Sequence, residues 1–137
     1  MKKQNNRYKE AKLQILKISK SIVIKNGWSE EVLSKLIQKG VNKSDLVFYF
    51  NNDYKKLLEF SLDQINILLE HNIKKMNIIN FPINKRIKKI LMSRIKILNE
   101  EKIFYKKTFY HLILPQNLIM MKRSLYKSVD IMWYLAG

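Results

Sequence analysis

Few residues in this chain have side chains suited to catalysis. His71 and His111 are its two imidazoles, cysteine is absent, and its carboxylates include the adjacent pairs Glu30/Glu31 and Glu100/Glu101. Without cysteine there is no thiol nucleophile, no disulfide and no cysteine-based zinc site. Adjacent carboxylates diverge on a helix and cannot share one site as neighbours. A di-iron bundle needs Glu three residues before His, but Leu68 and Thr108 stand at those positions. Three glycines and two prolines leave little material for a phosphate-cradling loop or a turn-rich β fold. The expectation is therefore no catalytic residue, no metal and no cofactor.

Binding chemistry is better represented. The chain carries 27 Lys and Arg against 11 Asp and Glu, a net charge of +16, unevenly placed. Residues 1–40 have ten basic and three acidic side chains, residues 41–80 five of each, and residues 81–137 twelve and three. Positive charge thus belongs to the two ends. Lys85, Arg86, Lys88 and Lys89 open a basic amphipathic stretch, suited to an anionic membrane surface. Near the C-terminus, Ile119, Arg123, Tyr126, Asp130, Trp133 and Tyr134 gather on one helix face at about 100° per residue. Trp, Tyr and Arg are enriched in binding hot spots, so Tyr126, Asp130, Trp133 and Tyr134 are candidate partner-binding residues.

The elements that must position these residues read as helices throughout, an all-α fold. Ala11, Ile15, Ile18 and Ile22 recur at helical spacing, and Asn26-Gly27 is a stop signal. Ser29 is placed to cap a second helix with Val32, Leu33, Leu36 and Ile37 inside. Asn42 and Asp45 have capping-box spacing for a short third helix ending near Phe50. Asn51-Asn52-Asp53 is a turn and cap for a long fourth helix, with Leu57, Leu58, Ser61, Leu62, Ile65, Leu68 and Leu69 inside; Pro82 lies in the segment that breaks it. Helix five sets Ile87, Ile90, Leu91, Ile95 and Leu98 against its lysines. Helix six has Phe104, Phe109 and Leu112 as anchors. Pro115 opens helix seven, with Leu118, Met121, Leu125, Val129, Met132 and Ala136 as its core stripe. No stretch approaches the ~18 apolar residues of a membrane span. The polar start lacks the apolar core of a secretory signal, and Arg7 is the sole arginine before residue 81, so a cytoplasmic bacterial protein is expected.

Helices two and three outline a helix-turn-helix. The run Gly40 to Phe50, followed by Asn51-Asn52-Asp53-Tyr54-Lys55-Lys56-Leu57-Leu58, resembles the reading helix and next helix of TetR-type repressors. A reading helix needs donors for base edges and cations for phosphates. This one has Lys43 offset by Asp45, then the apolar and aromatic run Leu46 to Phe50, so no specific nucleic acid is expected.

The stretch Leu112-Ile113-Leu114-Pro115-Gln116-Asn117-Leu118, then Lys127-Ser128-Val129-Asp130-Ile131-Met132-Trp133-Tyr134-Leu135-Ala136-Gly137, resembles the signature of the ubiquinone-biosynthesis accessory family often called coenzyme Q protein nine. Gly27-Trp28-Ser29 with Leu33 fits its first loop, and the likeness runs from about Leu13 to Gly137. The resemblance implies one all-helical TetR-like domain over residues 1–137: a helix-turn-helix-like part at 1–53 and lipid- and partner-binding helices at 54–137. It implies a non-enzymatic protein, peripheral on the bacterial inner membrane, that binds an isoprenoid quinone or phospholipid and presents quinone intermediates to the di-iron demethoxyubiquinone hydroxylase. Leu118, Met121, Leu125 and Met132 become the lipid-binding candidates, and Asp130 and Trp133 match the family's hydroxylase-contacting patch. Family members continue past Ala-Gly into further helices with much of the dimer surface, so this chain is expected to be a short form or a fragment. A homodimer is among the expected assemblies. The family often has a glycine where this chain has Asn51-Asn52-Asp53. The alternative expectation is a TetR-like DNA-binding regulator.

Overall fold

A computed structural model describes residues 2–137. It is all-helical: α1 (Lys2–Asn26), α2 (Glu31–Gln38), α3 (Lys43–Phe50), α4 (Tyr54–Met76), α5 (Ile83–Glu100), α6 (Lys102–Leu112) and α7 (Leu118–Ala136). Short 3₁₀ turns at Ile78–Asn80 and Pro115–Asn117 precede α5 and α7. No strand occurs among the described residues. The described residues divide into two compact units between Glu59 and Phe60, a position inside the α4 range.

In the first unit α1 packs on α2. Ile15, Leu16, Ile22 and Val23 of α1 are buried, as are Val32, Leu33 and Leu36 of α2. Gly27 ends α1 at φ +77°, its N–H donating to the Val23 carbonyl at 2.7 Å, a backbone conformation glycine adopts without a Cβ penalty. Ser29 accepts the Glu31 N–H at 3.3 Å. Trp28 is buried and stacks near the Tyr54 ring, centroids 6.5 Å apart, so the Gly-Trp-Ser loop anchors the start of α4. The Asn42/Asp45 capping box does not form: Asn42 makes no side-chain cap bond, and the Asp45 N–H instead donates to the Asn42 carbonyl. Asp is one methylene shorter than the Glu that reaches back in a capping box. Asp53 does cap, its Oδ1 accepting the Lys55 N–H at 2.9 Å.

In the second unit α5, α6 and α7 pack on one another. Arg94 braces the interior: its guanidinium donates to Asn66 Oδ1 on α4 and to Ser128 Oγ on α7, both at 3.1 Å. Burial lowers its pKa, which the nearby Tyr105 partly offsets. Several apolar expectations shift by a position or a face. On α5, Ile90 and Ile97 are buried, whereas Leu91 and Ile95 are exposed. On α6, Phe104, Tyr105, Thr108 and Leu112 are buried and Phe109 is exposed. Ile37 on α2 and Leu68 on α4 are also exposed.

Candidate functional site

The candidate site is formed by α7 with the α5 face beside it. Pro115 starts a 3₁₀ turn, not α7 itself, and Asn117 carries the chain into the helix. Asn117 is buried, its Nδ2 donating to the His111 carbonyl at 2.8 Å, while its Oδ1 is buried without a hydrogen-bond partner among the described residues. The Leu-Pro-x-Asn run therefore pins the end of α6 to the start of α7.

The core stripe expected on α7 is displaced. Met120, Ser128 and Ala136 are its buried residues, with Ser124 and Ile131 half-buried. Leu118, Leu125 and Val129 face outward, and Met121 and Met132 are half-buried. The buried line is the expected one moved back one position at Met120, Ser124 and Ser128, about 100° around the helix. The cause is polar. Ser128 accepts a hydrogen bond from Arg94, so a small hydroxyl sits inside where a large apolar side chain was expected. The four lipid-binding candidates accordingly do not line one enclosed cavity.

Met132 instead joins Val129 and Trp133 of α7 with Ile87, Ile90 and Leu91 of α5 around an apolar recess of about 150 Å³. A cavity of that size holds a benzene-sized molecule, so it seats one ring or a short length of chain, not a polyprenyl tail. Trp133 lines this recess and is still 62% exposed. Tyr126, Asp130 and Tyr134 are also exposed. The four partner candidates thus lie at the surface of α7, with Trp133 linking their face to the recess.

The far end of α7 is fixed by a residue assigned above to the membrane face. Arg86 Nη1 donates to the Ala136 carbonyl at 3.0 Å, Nη2 to the Ile79 carbonyl at 2.6 Å, and Nε to the Phe81 carbonyl at 2.7 Å. Ala136 is buried, and a Cβ on Gly137 would stand 3.1 Å from Arg86 Nη1. The Ala-Gly pair therefore fits a close approach to Arg86. This half-buried guanidinium is engaged by three backbone carbonyls, whereas Lys85 and Lys88 beside it are exposed, and Lys89 is half-buried with Nζ 4.7 Å over the Phe81 ring. The periodicity of the lysines did not separate Arg86 from them. Its planar fork, which suits several fixed acceptors, was the available signal.

On α3, the outward residues are Lys43, Ser44, Val47 and Phe48, the last 71% exposed. Tyr8 of α1 meets Phe48 and Tyr49 at centroid distances of 6.1 and 5.1 Å. α3 thus carries part of an aromatic cluster and has few side chains that could donate to a base edge. Among the described residues no group of three His, Asp or Glu side chains is arranged to hold a metal, and no helix is long and apolar enough to cross a membrane. Comparison with family models, curated proteins and solved structures finds no match.

Proposed function

We propose that the protein is a non-enzymatic lipid-binding accessory of ubiquinone biosynthesis with a TetR-like fold. In this reading it lies on the inner face of a bacterial membrane and presents quinone intermediates to the di-iron demethoxyubiquinone hydroxylase. The observation that carries the reading is on α7. The run resembling the coenzyme Q accessory family holds Asp130 and Trp133 outward, and Trp133 borders a recess the size of one ring. A quinone-type headgroup fits such a recess. Its tail would lie over the outward apolar side chains Leu118, Leu125 and Val129, covered by membrane or partner.

The deciding experiment is mass spectrometry of an organic extract of the purified chain. A polyprenylated quinone or its precursor, retained by the parent and lost on Met132→Lys, is the expected result. An extract free of isoprenoid, together with salt-resistant binding to one duplex, would replace this reading with the TetR-like regulator.

A further inference from the structure

A second concavity lies on the other side of α5, bounded by the end of α4. It is an open groove of about 1170 Å³ within the second unit. Lys75 from α4 and Lys85, Lys88, Lys89 and Lys96 from α5 line it, with Glu100 as its one acid. Lys85, Lys89, Met92 and Lys96 follow one another at spacings of four, three and four, so they run along one face of α5. Lys85 and Lys96 are then about 16 Å apart along the helix axis. Among the described residues, Lys75, Lys85, Lys88 and Lys96 take part in no ion pair. The remaining wall sets the apolar Met76, Met92, Ile95 and Ile97 beside the neutral polar Asn72, Ser93 and Asn99.

These two sets of side chains specify a ligand class together. Unpaired ammonium groups call for an anion, and a lysine-rich surface alone would answer to any anion. Methionines and isoleucines beside them call for an apolar segment next to that anion. A nucleic-acid strand meets only the first demand, because no aromatic side chain lines the groove to stack a base. An anionic phospholipid meets both, with its phosphate among the lysines and its upper acyl carbons against Met92 and Ile95.

We infer that this groove is a headgroup site for a single anionic phospholipid drawn from the bilayer, distinct from the recess at Trp133. The inference rests on the membrane part of the proposed function and on neither the quinone nor the hydroxylase. Basic pockets between transmembrane helices hold anionic headgroups; this groove offers the same chemistry to a bilayer surface, and its apolar side chains make binding less sensitive to salt than a lysine patch alone.

The test is flotation of the full chain with phosphatidylcholine vesicles, with and without phosphatidylglycerol. The double variant Lys88→Glu/Lys96→Glu is expected to lose about 30-fold in partitioning, or ~2 kcal/mol at ~1.4 kcal/mol per decade. The charge-matched control Lys106→Glu/Lys107→Glu on α6 is expected to lose much less at physiological salt, where charges more than about 8 Å away are screened. Met92→Ser, at an exposed position, keeps the charge and the fold and is expected to weaken binding severalfold. Equal loss in both double variants, with Met92→Ser unchanged, would overturn the site in favour of diffuse attraction. Displacement from the vesicles by inorganic phosphate would mark a small-anion site, and displacement by a short oligonucleotide a nucleic-acid groove; either result overturns the lipid assignment. Phosphatidylglycerol binding that persists in a chain whose extract lacks isoprenoid would sink the quinone reading and leave this one standing.

Discussion

Trp133 sits at the surface of α7 and at the rim of the α5–α7 recess, so its substitution reads function and packing separately. A central Trp in a desolvated interface is worth about 2 kcal/mol or more on truncation, at least ~30-fold in affinity. Trp133→Lys is expected to lose hydroxylase capture by that factor in a pull-down. Its folding stability should change by no more than about 1 kcal/mol, as for most surface substitutions. A loss of ~3–5 kcal/mol, the range for a core aromatic, would place Trp133 in the interior. Undiminished capture would remove the patch. Tyr105 behaves oppositely. It is buried, and desolvation above all, with Glu101 adding to it, pushes its phenol up to about 12 from 10.0. The folded chain therefore keeps a proton that the unfolded chain releases between those values, so stability from this group is full below pH 10 and falls as pH rises to 12. Two pKa units correspond to about 3 kcal/mol. Urea unfolding across that window should show the parent losing more stability than Tyr105→Phe, and parallel losses would show that Tyr105 is not the group responsible.

At the scale of elements, the α3–α4 turn shows how this chain does without a glycine. Asn51 and Asn52 both take positive φ, +54° and +50°, a region Asn tolerates better than other side-chain-bearing residues. The pair thus does the work of the glycine found there in the resembling family, and Asp53 then caps α4. Asn52→Gly is expected to leave the melting temperature nearly unchanged. Asn52→Val is expected to cost about 1–2 kcal/mol, the left-handed penalty for an L side chain, and a Val variant as stable as the parent would refute that account of the turn. The stop and start signals were legible because each is local: Gly27, Asp53 and Pro82 act within a turn of their own position. The helices themselves could be read from spacing, but the start of α1 at Lys2, the break between α5 and α6, and the 3₁₀ turn before α7 carry no such local signal. The faces were less legible where the inside is polar. Large apolar residues at helical spacing picked out Leu118, Leu125 and Val129, but Ser128 and Asn117 are inside because Arg94 and the His111 carbonyl bond them there. No periodicity of hydrophobic residues reports a polar partner, whether it lies 34 residues away, as Arg94 does from Ser128, or six, as His111 does from Asn117. Trp133, Asp130 and Tyr126 could be placed off the core stripe from their helical spacing, whereas the recess beside Trp133 needed the register of α5 against α7.

For the whole molecule, a charge of +16 guarantees attraction to any polyanion, so binding to DNA is not in itself evidence for a regulator. Phosphate attraction is sequence-independent and falls steeply with salt, and at physiological ionic strength it gives dissociation constants of about 10⁻⁴–10⁻⁶ M. Specific recognition adds base-edge contacts from donors in the major groove and runs at least ~10³-fold tighter. The helix that would enter the groove turns Val47 and Phe48 outward, and residues 41–80 carry no net charge. Beside them only Lys43 and Ser44 of the outward residues on α3 offer donors to base edges, whereas Val47 and Phe48 can touch a thymine methyl. The expected result in fluorescence anisotropy is weak binding to every duplex, with the best sequence from a random pool within about tenfold of a scrambled one. Lys43→Ala should weaken all sequences alike, as a phosphate contact does. A pool-selected duplex held ~10³-fold more tightly at physiological salt, and lost selectively on Phe48→Ala, would show that the aromatic face of α3 reads sequence after all. The net charge would then be steering the chain to an operator, and the quinone reading would fall with it.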